Sequence, residues 1–285
     1  MTVRYDTLSL IRSKDGVSVW RVTYGDDSYV MKCFDNPEHR REIANYQILA
    51  SLSIPTLKMI SYTDSSIVIE DIERSAYRLG TPEDLDDLRT AGLIAHWYRT
   101  LHENGREYAG AHSLYDECDS LSEINVFKLA EKTCTAGLAV WQTIDEHLDL
   151  IKSKALRLPR TLTYNDFYYT NLAVARDWSS AIVFDYNLLG KGYVYSDIRN
   201  VCSSLGNESA ITVFRAVYGE FDESEEIIDD VVSPLIGLHV ACQRKVFPEW
   251  ANESLEMVKD GRLMLAVERL LWDSMKGNRH DRYYP

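Results

Sequence analysis

The first seventy residues and the rest of the chain carry different periodicities, and this difference constrains the fold more than any other feature. Residues 8–34 alternate apolar and polar side chains in short runs separated by turn residues, which predicts antiparallel β-strands. A helical pattern follows the Asn36-Pro37 pair, and two more strand patterns lie before residue 71. Beyond residue 71 the pattern is mostly helical, apart from short strands within 162–198. This order predicts an α+β protein with a β-rich lobe at 1–71, a hinge near 70–75 and a larger helical lobe at 72–285.

Boundary signals accompany the helical patterns. Thr81 is followed by Pro82 and two acidic residues, which predicts that a long helix begins there and runs to about His102. Another helical pattern spans 123–150. Pro234 and Pro248 are expected to break the helices that follow residue 196.

Charge, hydropathy and cysteine content argue against several classes of protein. The chain has 285 residues and a formal net charge of −13, which disfavours nucleic acids and anionic membranes as partners. No apolar run approaches the roughly 18 residues of a membrane-spanning helix. The N-terminus lacks the apolar stretch of a signal peptide, so a cytoplasmic location is expected. The five scattered cysteines argue against a zinc site and a disulfide framework. The oligomeric state is left open.

Three polar residues stand at the ends of apolar segments within 162–198. Four residues separate Asp166 from Asn171, and Asp185 ends an apolar run. A carboxylate beside a buried strand lowers stability unless a partner group or a metal ion compensates its charge, so its presence suggests a function. Phosphoryl transfer from ATP needs one carboxylate to orient the attacking hydroxyl, and a second carboxylate with a carboxamide to hold Mg²⁺. The pattern therefore indicates phosphoryl transfer, although a turn or helix cap would also explain Asp166 and Asn171 alone.

This segment resembles the catalytic core of the aminoglycoside phosphotransferase family, which comprises small-molecule kinases with the protein-kinase fold. Residues 164–171 stand where that family has H-G-D-x-x-x-x-N, and residues 184–187 are similar to its I-D-[WF]-[EG]. The resemblance implies a two-lobed, protein-kinase-like fold. It also implies a role for four residues: Asp166 as the catalytic base, Asn171 and Asp185 as Mg²⁺ ligands, and Asp197 as a brace for the catalytic loop.

Three positions depart from the pattern of the family. Tyr164 replaces the usual His, and Asn165 replaces the usual Gly. Another planar side chain can take the structural place of that His, so we expect activity to survive. Asn187 replaces the usual Glu or Gly, which leaves the surroundings of the expected metal site open.

A kinase-like site also needs a lysine that contacts the phosphates and a glutamate that pairs with this lysine. Lys32 lies in a predicted strand, and Glu42 lies in the helix that follows. Taken alone, Lys32 could be an edge-strand lysine that discourages aggregation, and Glu42 could be a solvated helix residue. The ordered combination with Asp166, Asn171 and Asp185 is hard to obtain by chance, and it favours binding of ATP or GTP.

The resemblance also implies which other segments form the nucleotide site, because they occupy the same places along the chain as in the family. The turn at 13–19, which contains Ser13 and Gly16, stands where a hairpin covers the phosphates, and a plain hairpin turn explains it equally well. The run 67–72 is similar to the family's hinge, which implies that the backbone around Glu70 and Ile72 binds the adenine edge. Residues 93–102 match the family's long helix, and we interpret its terminal His102 as structural.

The acceptor is the least constrained part of the site. Acidic residues cluster between Glu220 and Asp230, where they could attract a cationic amino sugar or simply stabilise a helix N-terminus. Trp250, Trp272 and Asp273 could line the same region, although we expect the tryptophans to pack in the core.

The sequence favours an ATP- and Mg²⁺-dependent phosphotransferase that acts on a hydroxyl group of a small molecule, with an aminoglycoside as the first candidate acceptor. Choline-like, amino-alcohol, sugar and nucleoside acceptors stay open. A kinase-shaped binding or regulatory protein with little activity is the alternative. A protein kinase is disfavoured, because Asp185 to Asp197 leaves no room for an activation segment.

Overall fold

The computed structural model describes residues 5–280, with side chains described for 5–274, and begins with a five-stranded antiparallel sheet. The strand order is β1-β2-β3-β5-β4. One helix, α1, connects β3 to β4. The predicted sheet carrying one helix is therefore confirmed. The elements are β1 Thr7–Lys14, β2 Val17–Tyr24, β3 Asp27–Phe34, α1 Arg41–Ser51, β4 Met59–Tyr62 and β5 Ser66–Glu70.

Burial in this part follows the two periodicities read from the sequence. Ile67 and Ile69 of β5 are buried, as expected for alternate positions of a strand with one face in the core. Helix α1 buries Ile43, Tyr46 and Leu49, which recur every three residues. By contrast, every residue of the edge strand β1 is exposed. The inner strands and α1 therefore supply the apolar core of the N-terminal part.

The remainder of the chain is mainly helical, which confirms the α+β class. Strands β6, β8 and β9 form a separate three-stranded antiparallel sheet. None of the helices in the described part of the chain is long and apolar enough to cross a bilayer. The expected cytoplasmic location stays a prediction. The elements are β6 Tyr77–Leu79, α2 Leu88–Ala111, α3 Val126–Lys132, α4 Val140–Arg157, β7 Thr161–Thr163, β8 Leu172–Ala175, β9 Ala181–Val183, β10 Gly190–Gly192, α5 Val194–Ser204, α6 Glu208–Tyr218, α7 Glu223–Ala241, α8 Asn252–Lys259 and α9 Arg262–His280.

Three of the predicted helix boundaries are wrong. The end expected near His102 is one of them, since α2 continues to Ala111. The helix expected from Thr81 begins at Leu88, because the side chain of Asp87 caps it there. Residues Pro82–Leu85 form a separate 3₁₀ turn. Pro234 does not break a helix, since it lies inside α7 and is buried. A proline costs a helix one backbone hydrogen bond, and burial of its apolar ring offsets part of that loss here.

The chain divides into two compact units. Unit 1 comprises residues 1–115, 161–190 and 197–220, and unit 2 comprises residues 116–160, 191–196 and 221–285. Unit 1 therefore contains the N-terminal sheet together with β6 to β9, whereas unit 2 is built mainly of helices. The division into functional lobes at residues 71 and 72 stays a prediction.

Helix α2 is the central helix of unit 1. It buries Trp97, Tyr98 and Leu101, and it contacts α6 and β7. A Cβ atom added to Gly105 would lie 2.6 Å from the Cβ of Leu162 in β7, so the close approach of α2 to this strand requires glycine. This packing positions the segment after β7, which contains Asp166.

Unit 2 has an apolar core of its own around helix α7. This helix contacts α4, α8 and α9. It buries Val231, Leu235 and Leu238, and α4 buries Trp141 and Ile144. Unit 2 is therefore a helical assembly, and the first turns of its central helix contain most of the acidic run that the sequence singled out.

Candidate active site

A buried ion pair joins β3 to α1. Lys32 Nζ lies 2.7 Å from Glu42 Oε1, and the two side chains are only 9% and 0% exposed. Burial by itself would lower the pKa of Lys32, but the carboxylates of Glu42 and Asp185 outweigh that effect and raise this pKa. The lysine therefore stays charged, as contact with a phosphate requires. Lys32 lies on an inner strand and Glu42 is buried, so neither the edge-strand nor the solvated-helix interpretation fits.

Asp185 brings a second carboxylate to the same lysine. Its Oδ1 atom lies 3.1 Å from Lys32 Nζ. The backbone φ of Asp185 is +69°, in the left-handed region that residues other than glycine seldom adopt. Such a conformation costs of order 1 kcal/mol, and residues held in this way occur frequently at active sites. The structure therefore brings Asp185, which is distant in the sequence, to Lys32 and Glu42.

Asp166 and Asn171 contact each other within one loop. The Nδ2 atom of Asn171 donates hydrogen bonds to the backbone carbonyl of Asp166 at 3.1 Å and to its Oδ2 at 3.2 Å. Asp166 remains open to solvent on part of its surface. Partial loss of hydration, together with the charge of nearby Asp185, raises the pKa of Asp166 to about 6. A carboxylate with such a pKa suits proton transfer near neutral pH.

Asp197 holds this loop from the buried side. Its two carboxylate oxygens accept hydrogen bonds from the backbone N–H groups of Tyr164 and Asn165, both at 2.8 Å. His102 Nε2 lies 3.1 Å from Asp197 Oδ2, and His102 Nδ1 lies 2.8 Å from the hydroxyl of Tyr218. Asp197 therefore has the contacts expected of a brace for the catalytic loop. His102 has the contacts expected of a structural residue.

The unusual residues Tyr164 and Asn165 preserve the shape of the loop. The hydroxyl of buried Tyr164 donates a 2.5 Å hydrogen bond to the backbone carbonyl of Phe184, the residue before Asp185. Asn165 has a φ of +65°, which explains a glycine in the family pattern. Asparagine tolerates this region better than most residues. Its Nδ2 atom also donates to the carbonyl of Leu188 at 3.1 Å.

The segment predicted to cover the phosphates forms the turn of the β1–β2 hairpin. Asp15 and Gly16 have φ angles of 52° and 77°, as in a type I′ turn. Ser13 pairs with Ser18 in the ladder. The Gly16 carbonyl accepts a hydrogen bond from Asp35 N at 2.8 Å. The hairpin is present, and contact of Ser13 and Gly16 with phosphate stays a prediction.

The predicted hinge follows directly from β5. The carboxylate of Glu70 accepts a 2.7 Å hydrogen bond from Lys58 N. The carbonyl of Ile72 accepts a hydrogen bond from Ser75 N at 3.2 Å. These bonds hold both residues in place, and the contact of their backbone with adenine stays a prediction.

Between these two hinge residues lies Asp71, whose anchoring role the sequence reasoning missed. Its carboxylate accepts hydrogen bonds from Ser28 Oγ at 2.6 Å and Arg21 Nε at 2.7 Å. Burial alone would raise the pKa of Asp71, but these two hydrogen bonds, the one from Glu73 N and the charge of Arg21 together outweigh it and lower this pKa. Arg21 also pairs with Glu73 at 2.8 Å. The available signal was the pair of acidic residues that ends β5.

Much of the acidic run at the start of α7 is structural. Asp222 caps the helix. Buried Glu225 accepts a 2.8 Å hydrogen bond from Tyr195 N, and burial raises the pKa of Glu225 to about 7. Buried Asp229 accepts a 2.6 Å hydrogen bond from the hydroxyl of Tyr193. These carboxylates are therefore held by groups of unit 2 itself.

The expectation that Trp250 and Trp272 pack in the core is wrong. Their exposed fractions are 54% and 61%. The guanidinium of Arg244 lies 5.8 Å from the ring centre of Trp250. Asp273 lies 4.0 Å from Lys154 Nζ. Trp272 is exposed because other positions form the buried stripe of α9, namely Leu263, Val267 and Leu270.

The oxygen atoms around Asp185 fit a divalent cation. Asp166, Asn171 and Asp185 carry carboxylate and carboxamide oxygens, the ligands that Mg²⁺ prefers. The charge of Asp185 contributes to the raised pKa of Asp166, and a bound cation would relieve this repulsion. Mg²⁺ sites of this kind rely on one or two carboxylates together with substrate phosphates. In the described residues no group of three or more His, Cys, Asp or Glu side chains could hold a metal alone.

This fold, with a buried Lys–Glu pair and an Asp–Asn loop beside a further aspartate, is that of a kinase-like phosphotransferase. The chain belongs to the phosphotransferase enzyme family (APH), whose sequence model matches residues 7–230. The resemblance seen in the sequence is therefore confirmed, and the chain is a small-molecule kinase. No curated protein matches it.

Solved structures share the fold over nearly the whole chain. An ethanolamine kinase from Plasmodium vivax is 13% identical, with a TM-score of 0.61 over 92% of this chain and 84% of that one. The choline kinase LicA from Streptococcus pneumoniae is 13% identical, with a TM-score of 0.59 over 94% of both chains. In the ternary complex of streptomycin, ATP and APH(2")-IIa, the protein is 15% identical, with a TM-score of 0.59 over 93% of this chain and 94% of that one. At these identities the likeness establishes the fold alone.

Proposed function

We propose that the chain transfers the γ-phosphoryl group of ATP to a hydroxyl group of a small molecule. The contact of Lys32 with both Glu42 and Asp185, in the same compact unit as Asp166 and Asn171, carries this proposal. ATP is the preferred donor because it is present in the solved complex with streptomycin, and GTP would meet the same residues.

Lys32 has the role of binding the phosphates. Glu42 and Asp185 hold its ammonium group in place before substrate arrives, so little reorganisation is needed on binding. Because the lysine is buried, its charge is weakly screened by water. Lys32 therefore neutralises phosphate charge and fixes the donor relative to Asp166.

Asp166 has the role of orienting the acceptor. Its carboxylate accepts a hydrogen bond from the acceptor hydroxyl and directs that oxygen toward the γ-phosphorus. As the new oxygen–phosphorus bond forms, the bond between the γ-phosphorus and the β–γ bridging oxygen breaks, ADP departs, and Asp166 takes the hydroxyl proton. The hydrogen bonds from Asn171, and those from the backbone of the loop to Asp197, keep this carboxylate in position.

Asp185 and Asn171 are the residues that would hold Mg²⁺. When bound, the cation neutralises negative charge on the β- and γ-phosphoryl oxygens. The residues themselves contribute an anionic and a neutral oxygen ligand, and Asp185 also anchors Lys32.

The proposed acceptor is a cationic hydroxyl compound, either an amino alcohol or an amino sugar. Ethanolamine, choline and streptomycin, which the solved structures name, each combine a basic or quaternary nitrogen with a hydroxyl group. The net charge of −13 favours the approach of a cation. Aminoglycosides are one member of this class.

The test is the substitution Asp166→Asn, which keeps the shape of the side chain and removes the base. We expect calorimetry to show nearly unchanged affinity for ATP in the presence of Mg²⁺. ADP release across a panel of amino alcohols, aminoglycosides, sugars and nucleosides should fall about 100-fold or more. The control is Asp64→Asn, in the exposed turn between β4 and β5, which should behave as the wild type.

Unchanged turnover in Asp166→Asn would refute the role given to this residue. A wild-type protein that binds ATP but phosphorylates no member of the panel would instead support the alternative, a kinase-like binding or regulatory protein. Turnover limited to sugars or nucleosides would refute the proposal of a cationic acceptor while leaving the phosphotransferase activity intact.

A further inference from the structure

Asn187 contacts the carboxylate of Asp185 directly. Its Nδ2 atom donates a 2.8 Å hydrogen bond to Asp185 Oδ1, the oxygen that also lies 3.1 Å from Lys32 Nζ. A neutral donor and a cationic donor therefore share one oxygen. Within the part of the chain that the structure describes, no hydrogen bond or ion pair reaches the other oxygen, Oδ2.

This contact determines which way the carboxamide of Asn187 faces. If its nitrogen and oxygen exchanged places, two oxygen atoms would lie 2.8 Å apart, so the nitrogen must face Asp185. The oxygen of Asn187 is then buried, and it has no hydrogen-bond partner among the described residues. A buried polar atom without a protein partner lowers stability and therefore calls for an explanation. The contact with Asp185 supplies that explanation.

The same contact restricts how Asp185 can bind a cation. Because Oδ1 is engaged by Lys32 and Asn187, Oδ2 is the oxygen left for a metal. A carboxylate with one available oxygen cannot chelate a cation with both oxygens, nor place one oxygen on each of two cations. A glutamate at position 187 could not donate to Asp185 and would add a negative charge beside it. With asparagine at this position, there is no additional negative charge for a second cation to neutralise and no additional carboxylate to bind it.

We propose that Asn187 is a positioning residue that makes Asp185 a monodentate ligand, so that the nucleotide-bound protein takes one divalent cation rather than two. This inference rests on the proposed phosphotransferase function, because the cation is expected to bind together with the nucleotide. It concerns the number and affinity of bound cations, which are measured without any turnover.

The test counts bound Mn²⁺ by electron paramagnetic resonance in the presence of a saturating, non-hydrolysable ATP analogue. The wild type should bind one Mn²⁺ per bound nucleotide. Asn187→Asp replaces the donor with a carboxylate of the same shape, and this variant should bind two. Asn187→Leu removes the donor without adding charge, and it should bind one Mn²⁺ about tenfold more weakly, as is usual when a partner of a metal ligand is lost. Asn252→Asp adds a charge at an exposed position and should match the wild type.

Two Mn²⁺ ions on the wild type would overturn the proposal. An unchanged number and affinity of Mn²⁺ in both Asn187 variants would also overturn it. Circular dichroism establishes that each variant is folded, and if Asn187→Asp fails to fold, the Mn²⁺ affinity of Asn187→Leu decides. Failure of the proposed function is recognised separately, by unchanged turnover in Asp166→Asn. Absence of nucleotide binding by the wild type would overturn both proposals.

Discussion

Lys32 on strand β3 and Asp185 after strand β9 are joined by a 3.1 Å ion pair between Nζ and Oδ1. The same lysine lies 2.7 Å from Glu42 on helix α1. One buried cation therefore links the N-terminal sheet, the first helix and the segment after β9. Removal of any of these three charges should affect both the stability of the fold and the binding of phosphate.

Glu42→Gln removes one charge of this group and keeps the size of the side chain. Lys32 then keeps Asp185 as its only carboxylate partner, so we expect the free energy of unfolding to fall by about 2 kcal/mol. Affinity for the ATP analogue should fall as well, because the ammonium is less firmly held. Urea unfolding and calorimetry measure the two effects. Glu38→Gln removes the same charge from an exposed position nearby, and a loss of equal size in this control would contradict the prediction.

Asn165 tests the cost of the left-handed backbone beside Asp166. Both Asn165→Ala and Asn165→Gly remove the side-chain hydrogen bonds, but only alanine is strained at a φ of +65°. Asn165→Ala should therefore be less stable than Asn165→Gly by about 1 kcal/mol. Chemical denaturation of the two variants measures this difference. Equal stability, or a more stable alanine variant, would show that the loop relaxes to another conformation.

Tyr164→Phe removes a single hydroxyl from the aromatic core beneath the catalytic loop. The carbonyl of Phe184 then loses its donor, and we expect a loss of about 1 to 2 kcal/mol in the free energy of unfolding. The pH optimum should not change, because the hydroxyl bonds a backbone group. Tyr62→Phe removes a hydroxyl from an exposed side chain and should leave the stability unchanged. A Tyr164→Phe protein as stable as this control would contradict the role of the hydrogen bond.

Glu225 should make the stability of the protein depend on pH. Its pKa in the folded protein, about 7, lies above the ordinary value of 4.5, so the folded state binds the proton more tightly than the unfolded state. The stabilising contribution of the protonated form is complete below about pH 4.5 and is lost as the pH rises toward 7. The loss is at most about 3 kcal/mol, at about 1.4 kcal/mol per pH unit.

Urea unfolding of the wild type and of Glu225→Gln across this pH range measures the effect. The stability of the wild type relative to the variant should decline as the pH rises, because glutamine does not titrate. Glu223→Gln, at an exposed position two residues earlier, should follow the wild type at each pH. A difference between wild type and Glu225→Gln that does not change with pH would contradict the raised pKa.

Local patterns predicted most of what the first seventy residues form. The alternation in β5 and the three-residue spacing in α1 both reappear as burial patterns. The helix start expected at Thr81 was wrong although the signal that sets it is local, since Asp87 caps the helix through Thr90 N three residues later. The break expected at Pro234 was wrong because burial of the proline ring depends on neighbours that a local pattern does not contain. The exposure of Trp272 was missed for the same reason.

The amino-acid sequence alone determined the class of this protein, because phosphoryl transfer needs particular side chains in a particular order, and Lys32, Glu42, Asp166, Asn171 and Asp185 occur in that order. Only the tertiary structure decided how these groups are held. The ion pairs of Lys32, the anchoring of Asp71 by Ser28 and Arg21, and the bond from Asn187 to Asp185 are set by angles and distances of a few ångströms. Such contacts depend on how distant segments pack, and the spacing of residues along a chain does not specify that packing.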